Sequence, residues 1–190
     1  MMMGRSTGHL IAIVGPSGVG KDSLIEGVRN RLPQVHFMQR IITRAADAGG
    51  ESHRAVTAEE FAALRQAGDL LFDWQAHGLE YGISIDAQRL VLQGHNVVFN
   101  GSRQALAGQQ ALWPELKIVW VTASRTLRAA RLAKRGRETA EDIGNRLAVI
   151  EPAIPPSALV VENDSSLADG IQRMEAAILA LTCRSQETPI

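Results

Sequence analysis

The chain has one cysteine among 190 residues, Cys183, so it forms no internal disulfide, which fits a reducing compartment. It has no charge of one sign in excess. Twenty basic residues balance twenty acidic ones, and a protein that coats nucleic acid usually carries a basic surplus. Long hydrophobic runs are missing as well. The apolar stretch Leu10 to Val14 is too short for a bilayer or for the core of a signal peptide, and no small-residue cleavage pattern follows it. The expectation is a cytoplasmic protein with no nucleic-acid or membrane partner. His53, His77 and His95 have no metal-ligand spacing with one another or with Cys183, which argues against zinc. Gly and Pro are spread along the chain, so collagen-like and low-complexity classes fall away.

What is present is an apolar fraction of 45%, enough for a sizeable core in one domain. Short apolar runs alternate with amphipathic ones. Leu10–Val14, Val35–Ile42, Asn96–Asn100, Leu116–Thr122 and Ala158–Val161 read as strands. Lys21–Leu32, a segment capped by Thr57 and running through Ala67, Asp86–Gln93, Ser124–Lys134, Thr139–Ile150 and Leu167–Leu181 read as helices. Thr57 and Glu60 have capping-box spacing. Leu70–Trp74 and Glu80–Ile85 read as short strands around a turn at His77-Gly78. This alternation predicts an α/β fold with a largely parallel sheet flanked by helices. The irregular segment from about 39 to 85 reads as a substrate-binding insert, and about 125 to 150 as a lid.

The strongest motif is Gly15-Pro16-Ser17-Gly18-Val19-Gly20-Lys21, which satisfies G-x-x-x-x-G-K between a strand and a helix. Glycines let the main chain wrap phosphate oxygens, successive N–H groups form an anion nest, and Lys21 reaches the β- and γ-phosphates. The bland reading is a glycine-rich turn without a ligand. The residue after the lysine is Asp22, not Ser or Thr, and Ser23 follows. The apolar strand Val97-Val98-Phe99 ends in Asn100, so no acid stands there as a second metal anchor. Two readings of Asp22 stand: it anchors Mg²⁺, with Ser23 beside it, or it only stabilises the helix N-terminus.

A kinase must neutralise charge on a moving phosphoryl group, and arginine suits that task. Arg44 follows the second strand and is the best candidate contact for an acceptor phosphate. Arg128, Arg131 and Arg135 fall on one helix face, and Arg137 and Arg146 flank the next helix. Arg131, Arg135 and Arg146 read as phosphate contacts; Arg125 and Arg128 read as surface. The alternative for the whole face is a solvated charged helix. Trp74, Trp113 and Trp120 read as packing residues.

These residues resemble guanylate kinase and its relatives across most of the chain. The phosphate loop matches, as do Thr43-Arg44, Gly50-Glu51, Phe72-Asp73-Trp74, Tyr81-Gly82, Arg131-Leu132, Arg135-Gly136, Arg146-Leu147 and Val161 to Asp164. The resemblance implies a P-loop fold of the nucleoside monophosphate kinase type, with the Asn163 region near the adenine. The base-reading positions depart: Arg40, Ile83 and Ser102 stand where that family has polar groups for guanine, and Arg54 and Arg103 are added. That pattern, with Gly20-Lys21-Asp22-Ser23, Ile42 to Glu51 and Asn100-Gly101-Ser102-Arg103, resembles the ribose 1,5-bisphosphate phosphokinase family of bacterial phosphonate degradation. The resemblance implies ATP and Mg²⁺ as cofactors and transfer to the 1-phosphate of ribose 1,5-bisphosphate, giving 5-phosphoribosyl 1-diphosphate. Arg40, Arg44, Arg54, Asp73, Tyr81 and Arg103 are then the acceptor-binding candidates. Gly15 to Ser23 and Asn163 are the ATP-binding ones. A phosphorylated sugar and ATP are the expected partners, and a homodimer is compatible with the sequence. GMP as acceptor and a non-catalytic binding module are the competing functions.

Overall fold

The computed structural model describes residues 8–45, 51–134, 144, 147–148 and 152–183. Strand β1, Leu10–Val14, is buried along its whole length. It lies at the centre of a five-stranded parallel sheet with β2 (Val35–Phe37), β7 (Asn96–Asn100), β8 (Lys117–Thr122) and β9 (Leu159–Glu162) in the order β2-β7-β1-β8-β9. A strand covered on both faces needs apolar residues at every position. Leu10, Ala12 and Val14 pack on one side with the second sheet and α3 (Asp86–Leu92). Ile11 and Ile13 pack on the other with α1 (Lys21–Arg29) and the last helix, α6 (Leu167–Thr182). Gly27 lets those two helices approach, since a Cβ there would lie 2.2 Å from Ile171 Cδ1.

A second sheet of order β4-β3-β6-β5 contains β3 (Ile41–Ile42), β4 (Arg54–Ala55), β5 (Leu70–Ala76) and β6 (Leu79–Ser84). Strands β5 and β6 form a hairpin closed by His77 and Gly78, both at positive φ (53° and 73°), the backbone a two-residue primed turn requires. Helix α2 (Ala58–Ala67) begins with the complete capping box of Thr57 and Glu60. Helices α4 (Leu106–Leu112) and α5 (Arg125–Lys134) complete the described elements.

The run Val35–Ile42 is not one strand. It divides at Met38-Gln39-Arg40, with β2 pairing in the parallel sheet and β3 in the second one. The chain changes sheets there without Gly or Pro, because both halves find apolar cover in different layers. Helix α4 and strand β4 have little periodic signal. Strand β4 is two exposed residues paired to Ile41 and Ile42. The expected helix Thr139–Ile150 falls largely outside the described residues. Among the described residues no helix is long and apolar enough to cross a membrane.

Candidate active site

The Gly15–Lys21 loop joins β1 to α1. Gly18 and Gly20 are left-handed, at φ 82° and 91°, and Gly20 is the N-cap of α1. A side chain at Gly20 would also meet Asn163 Nδ2 at 2.8 Å, so glycine is required there twice over. Lys21 opens the helix, and its Nζ donates to Gly15 O at 2.8 Å, folding the side chain back over the loop. Its pKa is lowered to about 8, chiefly by burial and also by the nearby Arg40 and Arg103, while Asp22 and Glu51 oppose the shift. A cation held where it resists protonation is poised for an anionic ligand.

The loop is fastened from behind. Arg128 is buried (6% exposed), and its Nε donates to Ser17 O at 2.9 Å. Arg131 donates to Val19 O at 3.1 Å and to Asn163 O at 2.9 Å. Asn163, also buried, donates from Nδ2 to Val19 O at 2.7 Å. Arg128 is therefore not a surface residue: one turn of α5 places it with Arg131 against the loop, where only the charge pattern, and not its burial, was visible in sequence. Asn163 supports the loop through its side chain. A hollow beside it is lined by Gly20, Ser23, Arg131, Lys134, Asn163 and Leu167. Replacing Arg128 with Met is expected to lower stability by about 1.5–3 kcal/mol, the value of a hydrogen bond from a charged donor, and to weaken ATP binding in parallel. Thermal denaturation with and without ATP measures both.

In front of the loop lies a cleft walled by the loop itself, Arg40, Trp74, His77, Tyr81 and the segment Asn100–Gln104, including Arg103. Trp74 and Tyr81 stack at 5.5 Å with 7° between their planes, and the Arg40 guanidinium sits 5.2 Å above the Tyr81 ring. Arg40 is ion-paired with Glu51, and both side chains are mostly buried. Asn100, at the end of β7, donates from Nδ2 to Asp22 Oδ1 at 2.9 Å and to Glu51 Oε2 at 3.0 Å.

The candidate residues thus divide. Lys21, Asp22, Arg40, Tyr81 and Arg103 converge on the cleft. Ser23 is exposed and lines the adjoining hollows. Asp73 is not brought there: strand alternation turns it to the opposite face from Trp74, where Arg65 binds it at 2.9 Å. Arg54 is exposed on β4. Arg44 lies in a separate hollow with Val56, Thr57 and Glu60, its Nη2 3.3 Å from His53 Nδ1. Beyond the two-residue β3, Thr43 stays bound to Glu80 of β6, its N donating to Glu80 O at 3.1 Å and its Oγ1 accepting from Glu80 N at 2.9 Å, and Arg44 follows it into that hollow. Arg135 and Arg146 lie outside the described residues. The site residues that sequence reasoning did not assign are Arg128, Glu51 and Asn100. Asn100 was visible only as a missing acid and Glu51 only as half of a Gly-Glu pair.

A family model described as AAA domain matches residues 11–150. The chain is 45% identical over 168 residues to ribose 1,5-bisphosphate phosphokinase PhnN of Chromobacterium violaceum, covering 87% of this chain and 91% of that one. It is 42% identical over 181 residues to the protein of the same name from Rhizobium etli, covering 94% and 91%. Among solved structures, guanylate kinase from Anaplasma phagocytophilum superposes with a TM-score of 0.69 at 17% identity, over 95% of this chain and 89% of that one. This likeness bears on the fold alone: a P-loop architecture with a parallel central sheet flanked by helices.

Proposed function

Because the chain belongs to the ribose 1,5-bisphosphate phosphokinase family, we propose that it transfers the γ-phosphoryl group of ATP to the 1-phosphate of ribose 1,5-bisphosphate. The products are 5-phosphoribosyl 1-diphosphate and ADP. The observation that carries this reading is the cleft wall: Lys21, Arg40 and Arg103 border one space in front of the phosphate loop. Tyr81 is buried, stacked on Trp74 and covered by the Arg40 guanidinium, so its ring offers no face on which a base could stack. Three cations and a covered aromatic suit a small, doubly anionic sugar better than a nucleobase.

In the reaction, an oxygen of the acceptor 1-phosphate attacks the γ-phosphorus. The bond from that phosphorus to the bridging oxygen breaks, and its electron pair leaves on the β-phosphate of ADP. The acceptor oxygen is already ionised, so no general base is required. Positioning and charge neutralisation are what this chain supplies. The loop amides and Lys21 hold the β- and γ-phosphates. Arg40 and Arg103 hold the acceptor and bring its oxygen into line. The hollow beside Arg131 and Lys134 receives the nucleoside end of ATP. Magnesium, when bound, neutralises phosphate charge; the hard carboxylate of Asp22, beside Lys21, has the donor chemistry to hold it.

Phosphorus NMR of a reaction containing ATP and ribose 1,5-bisphosphate tests the reading. The expected spectrum gains a diphosphate doublet pair attached at C1 as the 1-phosphate resonance disappears. Retention of the 1-phosphate, with phosphate released from ATP to water, overturns it.

A further inference from the structure

We propose that Asn100 is a positioning residue for the acceptor: it fixes Glu51, and Glu51 holds the Arg40 guanidinium inside the cleft. The inference rests on the functional reading above and deepens it. Asn100 closes β7, where its main chain is set by parallel pairing with Ile13 of β1. Ligands of open parallel sheets sit outside the carboxyl ends of the strands, and Asn100 borders the cleft together with Arg40. A buried strand end is a rigid mount for a side chain that must aim another.

The amide is committed on one side. Asn100 is 5% exposed, and its Nδ2 donates to Asp22 Oδ1 at 2.9 Å and to Glu51 Oε2 at 3.0 Å. A carboxamide nitrogen carries two hydrogens, so both are used. Its Oδ1 has no hydrogen-bond partner among the described residues. An orphaned buried acceptor is costly. Turning the amide over would cost more, because the oxygen would then meet two carboxylates. The side chain therefore leaves its own oxygen unsatisfied to keep two donors in place. Aspartate there would add a third negative charge, whereas asparagine offers two donors and no charge at the same reach. That accounts for the acid missing at the end of β7: the acids stand opposite it, at Asp22 and Glu51, and the strand end must donate.

From Asn100 the link runs to the acceptor side. Glu51 divides its oxygens: Oε2 takes the Asn100 bond, and Oε1 pairs with Arg40 Nη2. The two paired side chains are 16% and 13% exposed, so water competes weakly for them. The guanidinium then lies 5.2 Å above the Tyr81 ring, which is itself stacked on Trp74. A lone arginine side chain has wide rotamer freedom, and this seat removes it before an acceptor arrives. Aim matters here, since a misplacement of about 1 Å can cost about 100-fold in rate. The second Asn100 bond, to Asp22 beside Lys21, refers that aim to the helix that carries the phosphate loop. The two carboxylates are compensated by Asn100, by Arg40 and by the nearby Lys21.

A double-mutant cycle with Arg40→Met tests the proposal, read as kcat/KM for ribose 1,5-bisphosphate at saturating ATP. Asn100→Ala alone is expected to lower it by about 10–100-fold. In the Arg40→Met background the same substitution is expected to lower it about 2-fold or less, because the group it aims is gone. Losses that multiply, or an Asn100→Ala protein with the parent's kcat/KM, overturn the proposal. A general weakening of the fold would multiply, so the cycle separates aim from stability. Affinity for a non-hydrolysable ATP analogue, titrated without acceptor, is expected to change far less than acceptor use; an equal loss also overturns the proposal. Should Asn100→Ala fail to fold, Asn100→Ser, which keeps at most one donor, enters the same cycle under the same criteria. A parent protein that fails the phosphorus NMR test faults the functional reading and this inference with it. Normal transfer by the parent beside multiplying losses faults the inference alone.

Discussion

Lys21→Met is expected to reduce turnover by on the order of 10³-fold, the loss that follows removal of one preorganised charge from a transition state, and at the same time to make the ligand-free protein more stable at neutral pH. Both effects have the same cause. Lys21 is partly buried, its ammonium folded against Gly15 O, and its pKa is lowered from 10.5 to about 8. Between those two values the unfolded chain binds more protons than the folded one, so folding gains stability as pH rises through that window. Below pH 8 the full cost of holding a buried ammonium is present. The shift corresponds to roughly 3 kcal/mol. Methionine fills the space without charge, so thermal denaturation should show the variant ahead of the parent at pH 7. The advantage should shrink from pH 8 upward and vanish near pH 10.5. ATP should stabilise the parent far more than the variant, since its phosphates supply the charge that the empty loop lacks. A variant no more stable than the parent at pH 7 would mean that the loop does not store this cost.

Arg40→Met is the second large effect. The guanidinium lies over Tyr81, inside the cleft, and is held in place by Glu51. Removing the guanidinium forfeits a charge-assisted contact to an acceptor phosphate, worth about 1.5–3 kcal/mol. Here the loss should appear in acceptor use. KM for the sugar bisphosphate is expected to rise on the order of 100-fold, while affinity for ATP changes little. Arg44→Met serves as the comparison, because Arg44 lies in a different hollow with His53 and Glu60. Steady-state kinetics on both variants separate the two arginines. A larger rise for Arg44→Met than for Arg40→Met would place the acceptor outside the cleft described above.

The contrast between those arginines shows how far a sequence carries such a site. The phosphate loop was legible because its function is local: main-chain N–H groups, left-handed glycines and a lysine at a helix start all lie within seven consecutive residues. The parallel sheet was legible because strands buried on both faces are apolar throughout. The second sheet was harder. Its strands are two to seven residues long, and whether a side chain faces the cleft depends on a register set by distant partners. Asp73 and Trp74 are adjacent in sequence and face opposite ways. Arg44 is four residues from Arg40, yet the end of β3 sends it to another hollow. Arg128 looked like one more charge on a solvated face because nothing in the sequence places α5 against the loop. Glu51 acquires meaning only from Asn100, 49 positions away along the chain.

One measurement bears most directly on the central claim that a cationic cleft before the phosphate loop selects a sugar bisphosphate as acceptor. It is ADP release from ATP and Mg²⁺ with ribose 1,5-bisphosphate and with GMP, each as sole acceptor, compared as kcat/KM. The account predicts efficient turnover of the sugar bisphosphate and a value for GMP lower by several orders of magnitude. Turnover of GMP with none of the sugar bisphosphate would contradict it.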